Sequence, residues 1–344
     1  VVRSPFELPG VPAADPAAAA DPAAAADLTI VDRRGMPPPD GDTHEASSDG
    51  RRVRVVAAGA GRFVVEDGAY VLAWPQAGVE PATLAQWLTG PLLAVAAMQR
   101  GRLVLHGAVI RIGSAAVVVL AHSGVGKSTM ATACAGRGHA LLADDIAVVD
   151  AGDGDHPRVH PHAPFVRLHE PPAGVEVRAS WMAADKRTYA LPALASDPAP
   201  IAALVTLDDG DFACERLDPG AAAIELVRYS FCRPLLVDIQ RARHLRQCAH
   251  LAARVPVWSL RRPRELTVIP AVVDALEGKS PRHGVLHLRR HYLNRRFVVD
   301  FSTLKTTVPG TEKTPRKPYQ TPRVVDHGDL ARMTQQRPSA ASEF

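Results

Sequence analysis

The stretch Ala116-Val-Val-Val-Leu-Ala-His-Ser-Gly-Val-Gly-Lys-Ser-Thr129 constrains this chain more than any other. A valine-rich apolar run breaks into Ser123-Gly-Val-Gly-Lys-Ser128, and a helix-compatible segment follows. That is the strand, glycine-loop and helix order of a P-loop. Gly124 and Gly126 let the backbone approach phosphate oxygens with its N–H groups turned inward. Lys127 reaches the outer phosphates, the Ser128 hydroxyl sits on Mg²⁺, and the helix offers its positive N-terminus to the same anion. The expected nucleotide-binding set is Ala121, His122, Ser123, Gly124, Val125, Gly126, Lys127, Ser128 and Thr129, with ATP and Mg²⁺ as ligands. The strict motif has glycine at position 121. Ala121 is small and carries a modest steric penalty.

Composition bounds the rest. With 344 residues, 47% of them apolar and 5% aromatic, the chain fits an α/β protein of one large or two small domains. No apolar run approaches the roughly 20 residues that span a bilayer, and the start lacks the basic-then-apolar order of a secretory signal, because Asp15, Asp21 and Asp27 interrupt its alanines. Cys134, Cys214, Cys232 and Cys248 stand far apart, as reduced structural thiols of a cytoplasmic protein do. The net charge of +4 hides two opposed parts. From Gly278 onward there are 13 Lys/Arg against 5 Asp/Glu, and the remainder has 27 against 31. The basic excess belongs to the tail, so neither a nucleic-acid footprint nor membrane binding is expected of the core.

Residues 1–50 carry a repeated Asp-Pro-Ala-Ala-Ala-Ala unit and then Gly35-Met-Pro-Pro-Pro-Asp-Gly41. They read as a disordered leader. Residues 51–102 read as a small β-rich segment plus a helix: alternation at 52–56, 62–66 and 70–74 predicts short strands, and apolar spacing from Pro81 to Gly101 predicts one helix. Residues 103–277 form the P-loop domain, a mixed β-sheet flanked by helices. Its predicted strands lie at 103–111, 140–149, 165–168, 201–207 and 257–260. A hairpin turn falls at Gly113-Ser114, the P-loop helix ends at Gly136 or Gly138, and further helices fall at 221–229, 241–254 and 264–277. Residues 278–344 read as an irregular or disordered basic tail.

A P-loop alone specifies a nucleotide and no reaction. Leu105-His106-Gly107 opens the strand before it, and Gly138-His139-Ala-Leu-Leu-Ala-Asp144-Asp145 follows its helix. Two adjacent carboxylates at a strand end can divide the work of phosphoryl transfer, one facing Mg²⁺ and one facing the incoming hydroxyl. A nearby histidine can hydrogen-bond such a carboxylate and set its orientation. The ordinary alternatives are a satisfied strand histidine and a solvated strand end.

Leu105-His106-Gly107-Ala-Val, Ser123-Gly-Val-Gly-Lys-Ser and Arg137-Gly-His-Ala-Leu-Leu-Ala-Asp-Asp together resemble the catalytic domain of the HPr serine kinase/phosphorylase family. The likeness is to its shorter members, some of which accompany lasso-peptide biosynthesis. It runs from about residue 52 to 277 and is densest over 103–149; later, Arg167-Leu168, Asp185-Lys-Arg187 and Pro256-Val-Trp-Ser-Leu-Arg-Arg262 match. The resemblance implies that Lys127 and Ser128 handle phosphates and Mg²⁺. Of Asp144 and Asp145, one is the base that accepts a serine proton and the other a metal-side carboxylate, with Asp145 assigned to Mg²⁺; His106 lies beside them. It implies a serine-containing peptide or protein acceptor and a homo-oligomer. Thr129 replaces the glutamate usual after Lys-Ser, and the family's Glu-Ile-Arg-Gly-Leu-Gly signature is absent, which removes the basis for phosphorylase activity and for HPr itself as substrate.

Three functions follow: a serine or peptide kinase of the HPr kinase type, a nucleotide-binding regulatory protein without efficient transfer, and a small-molecule kinase on the same scaffold. The histidine-rich stretch of His156, His160, His162 and His169 is broken by Pro157, Pro161 and Pro164 and reads as a loop, not a zinc site. Lys186 and Arg187 are either acceptor contacts or a surface pair.

Overall fold

Period-two burial builds an N-terminal sheet: Val53, Val55 and Ala57 are buried while the intervening residues face outward. The computed structural model describes residues 2–6, 8, 28–152, 156–162, 165–168, 177, 179–183, 186–190, 197–231, 233–235, 238–276, 287–291 and 296–300. The strands of this first sheet are β1 (Val2–Arg3), β2 (Leu28–Asp32), β3 (Glu45–Ala46), β4 (Arg52–Ala57), β5 (Gly61–Glu66) and β6 (Tyr70–Pro75), in spatial order β1-β2-β6-β5-β4-β3. The leader expected over 1–50 is therefore too long. Leu28 and Ile30 are buried, and β2 pairs in parallel with β6. Alternating apolar residues supply that strand just past the alanine repeat, where composition alone reads as disorder.

The helix expected from Pro81 to Gly101 is two: α1 (Pro81–Thr89) and α2 (Pro91–Gln99). Gly90 leaves helical geometry at φ −107°, ψ −102°, and Pro91 lacks the N–H needed to continue the first helix. Gln99 ties α2 to the first sheet: its amide nitrogen donates to the Gly50, Arg51 and Val65 carbonyls and its oxygen accepts from the Gly68 N–H.

The chain then runs through β7 (Leu103–Ile112), β8 (Ala115–Leu120), α3 (Lys127–Ala135), β9 (Ala140–Ala143), β10 (Ile146–Asp150) and β11 (Arg158–His160). A small antiparallel sheet follows, formed by β12 (Phe165–Leu168), β13 (Ala179–Ala183) and β14 (Lys186–Ala190). Next come β15 (Ala199–Asp209), β16 (Ala213–Arg216), α4 (Pro219–Arg228), α5 (Asp238–Arg254), β17 (Val257–Arg262) and α6 (Ile269–Leu276). The main sheet has the order β11-β10-β7-β8-β15-β17-β16, with β9 beside β7. Strand β11 also pairs with β15, so β11, β10, β7, β8 and β15 close a ring of pairings.

Strands β8, β15 and β17 run parallel and are buried on both faces. Val117 and Val119 pack with Met130 and Cys134 of α3 and Val272 and Val273 of α6. Val118 and Leu120 pack the other way, with Leu226 of α4 and Cys248 and Leu251 of α5. The result is the expected mixed α/β arrangement with helices on both sides. Among the described residues Cys134, Cys214 and Cys248 form no disulfide, and no described helix is long and apolar enough to cross a membrane.

Two further expectations change. The strand expected over 140–149 is interrupted at Asp144 and Asp145, and the basic tail contains an antiparallel hairpin, β18 (His287–His291) with β19 (Arg296–Asp300). The rest of residues 278–344, with Cys232, His169 and Asp185, lies outside the described residues.

Candidate active site

Strands β8, β15 and β17 point their carboxyl ends the same way. In open α/β sheets that end is where loops and helix N-termini converge on ligands. Leaving β8, the chain turns through Ser123 to Gly126 with Gly124 at φ 84° and Gly126 at φ 108°. Both are left-handed values that glycine adopts without the penalty a side chain brings. Gly126 is the N-cap of α3, and no side chain caps that end. The first-turn N–H groups are thus left for an outside acceptor.

Lys127 is buried, and its ammonium donates to the Ala121 carbonyl at 2.9 Å and to His106 Nε2 at 2.8 Å. Burial first, and the Lys127 charge second, push the His106 pKa down to about 4, so the imidazole is neutral and accepts this bond. His106 was expected to hydrogen-bond a carboxylate; its ring nitrogen meets the lysine instead. Phe231 stacks over the ring at 6.4 Å between centroids, and the backbone N–H of His106 donates to the Tyr229 carbonyl.

Asp145 and Asp144 stand opposite Gly107 and Ala108, next to His106 on β7. Strands β9 and β10 both pair with one edge of β7, and the two aspartates form the break between them, with the same register on either side. Asp145 sits at φ 74°, a left-handed conformation uncommon outside glycine, with its carbonyl held by the Gly107 N–H. This local distortion sends the two side chains into different surroundings. Asp144 is 8% exposed, and neither carboxylate oxygen meets a donor in good hydrogen-bond geometry, although the Ser128 hydroxyl and the Arg167 backbone N–H lie nearby. Desolvation, then the neighbouring Asp145 charge, raise its pKa to about 7; the Ser128 hydroxyl and Lys127 pull the other way without reversing the rise. Asp145 is one-third exposed and lies 3.8 Å from the Arg167 guanidinium on β12.

Of the expected residues, His106, Lys127, Ser128, Asp144 and Asp145 therefore converge at one end of the sheet. Asp145 was the carboxylate expected to share the metal with Ser128; the carboxylate on which the Ser128 hydroxyl acts is that of Asp144. His122 and Ser123 are exposed on the loop, and the His122 ring packs against Tyr229 at 5.0 Å. Thr129 lies in the first turn of α3, while His139 follows the turn after that helix. His160 and His162 lie outside this group, and the described residues contain no cluster of metal-ligating side chains by themselves. Burial lowers the His162 pKa to about 4.

Sequence reasoning did not assign Arg262, which ends β17. It is 3% exposed, donates to the Val125 carbonyl at 3.1 Å and the Pro263 carbonyl at 2.8 Å, and leaves its Nε without a partner. Trp258 and Leu260, on the same face of β17, belong to the core under α3. That register puts position 262 beneath the glycine loop, a signal available from alternation alone.

No family model matches this sequence, and no curated protein does. Among solved structures it is similar to the HPr(Ser) kinase/phosphatase from Coxiella burnetii. The TM-score is 0.30 and the identity 10%, over 50% of this chain and 93% of that one. A likeness at that level leaves fold and activity to be read from the chain's own residues.

Proposed function

We propose that this chain is an ATP-dependent phosphotransferase that moves a γ-phosphoryl group to a hydroxyl, with a serine of a peptide or protein as acceptor. The observation that carries the reading is the buried Asp144 carboxylate beside Ser128, at the mouth of a glycine loop whose lysine is already inside the site. A buried carboxylate whose oxygens meet no donor in good geometry is costly unless a cation joins it. The oxygen donors of Ser128 and Asp144 suit Mg²⁺, which when bound neutralises charge on the phosphates.

Each residue then has a task. The loop amides and the α3 N-terminus bind the phosphates. Lys127 leaves its seat on His106 and Ala121 for the outer phosphate oxygens, and neutral His106 gives it a low-cost resting partner. Asp145 accepts the acceptor's proton while the hydroxyl oxygen bonds to the γ-phosphorus and the bond to the bridging oxygen breaks, releasing ADP. Arg167, 3.8 Å away, orients Asp145.

The test incubates the protein with γ-labelled ATP, Mg²⁺ and serine peptides, beside Lys127→Ala and Asp145→Asn. Wild-type transfer that both variants lose supports the reading. Binding of ATP without transfer to any acceptor overturns it in favour of a regulatory nucleotide-binding protein. That second reading has its own support, because Lys127 is held on His106 and the Ala121 carbonyl. Label on a metabolite alone would indicate a small-molecule kinase.

A further inference from the structure

Arg262 is a buried cation in an adverse place. Its guanidinium lies under the glycine loop: a Cβ on Gly126 would stand 2.5 Å from its Nη2. Gly126 is also the N-cap of α3, whose N-terminal end carries the positive pole of the helix dipole. A cation there is repelled, and desolvation adds to the cost by favouring the uncharged form. The usual remedy, a carboxylate, is missing. Among the described residues none lies within ion-pairing distance of Arg262. The neighbouring Asp209 is engaged with Arg264 at 2.6 Å. What holds Arg262 is two backbone carbonyls, and one of its N–H groups has nothing.

We infer that the missing counter-charge is the bound polyphosphate: Arg262 is a charge-compensating residue of the phosphate site, held against Val125 until the anion arrives. The inference rests on the phosphate-binding reading of the loop and adds to it a second fixed cation on the side of the loop opposite His106. It also explains the demand at position 126, where glycine meets both a left-handed φ and the approach of a guanidinium. Buried positive charge of this kind stabilises the anionic ligand strongly because little water screens it.

A structural strut and a charge partner make opposite demands on substitutions. Glutamine can still donate to the Val125 carbonyl but carries no charge; lysine keeps the charge with a different shape; methionine keeps neither. Binding of ATP, of inorganic tripolyphosphate and of adenosine is measured by calorimetry for wild type, Arg262→Gln, Arg262→Met and Arg262→Lys, with melting temperatures recorded without ligand. The expected result is at least a tenfold loss of tripolyphosphate and ATP affinity in the Gln and Met variants. The Lys variant loses less, and all bind adenosine as wild type does. Without ligand, the Gln and Met variants melt at or above the wild-type temperature, because an uncompensated buried charge has gone. Wild-type affinity for tripolyphosphate in Arg262→Gln overturns the inference while leaving the site reading intact, and so does a ligand-free melting temperature that falls in both neutral variants. A wild-type protein that binds neither ATP nor tripolyphosphate overturns both.

Discussion

The N-terminal sheet and the carboxyl end of the main sheet handle charge in opposite ways. In the first, Arg51 pairs with Asp67, Arg52 with Glu66, Arg54 with Glu45 and Arg62 with Asp42, at or near the surface. Water screens those pairs, and each is satisfied. In the second, Asp144, Arg262 and Lys127 are buried, the Asp144 oxygens and Arg262 Nε have no partner in good hydrogen-bond geometry, and the Tyr229 hydroxyl and Arg167 Nε are likewise unsatisfied. One region has charges that nothing outside the chain needs to complete. The other has charges arranged for something the chain does not contain, which is the physical mark of a binding site.

The strongest way to break that contrast is at Lys127. Lys127→Ala is expected to lower transfer by about a thousandfold or more, as loss of a phosphate-site cation does, measured by single-turnover transfer from labelled ATP; a change below tenfold would place Lys127 outside the chemistry. Asp145→Asn should lower the transfer rate by roughly a hundred- to ten-thousandfold, the range of a general base. ATP affinity should stay within a few-fold, because Asp145 faces Arg167 and not the loop. Gly126→Ala should follow, with loss of nucleotide binding and a stability cost on the order of 1–3 kcal/mol from the left-handed backbone alone, read by denaturant unfolding.

Asp144 gives a sharper test, because its sign can be worked out. Its folded pKa of about 7 lies above the ordinary 3.8, so between those values the folded protein keeps a proton that the unfolded chain releases. Stability through this group therefore falls as pH rises across that window. His106 and His162 are held down to about 4 from 6.5, and their contribution falls as pH drops from 6.5 towards 4. Asp144→Asn removes only the first slope. The variant should gain on wild type as pH rises and melt several degrees higher above pH 7 without ligand; parallel melting curves from pH 4 to 8 would contradict the buried-carboxylate account. The smallest effect is expected in the other region: Asp42→Ala should move the melting temperature by less than about 2 °C, in line with an exposed ion pair.

Much of this was legible in the sequence where one rule acted alone. Alternation in 52–57, 61–66 and 70–75, the P-loop strand and its helix, and the grouping of His106 with Lys127 and the two aspartates depend on local pattern, and the sheet brings them together. What escaped depended on context. Leu28–Asp32 looks too short to matter until β6 gives it a partner. Gly90-Pro91 breaks a helix that apolar spacing carries through. The turn of Asp145 into left-handed backbone, at the break between β9 and β10, gives the two aspartates different surroundings in a way that residue types do not encode. Arg262 closes the Pro256–Arg262 pattern, but only its burial gives it a task.

The closed ring of β11, β10, β7, β8 and β15 has a kinetic consequence. Its last pairing joins Arg158 and Val159 to Pro200 and Ala199 across about forty residues of chain, and every strand in the ring has neighbours on both sides. The amides of β7 and β8, and the Gly107 N–H that fixes Asp145, can meet solvent deuterium only when the ring opens. They should exchange together and last, with the whole molecule's unfolding, while amides at the edge strand β3 exchange early. The bend that aims the two aspartates is thus as durable as the fold itself, and mobility during turnover is left to the glycine loop and the side chains around it.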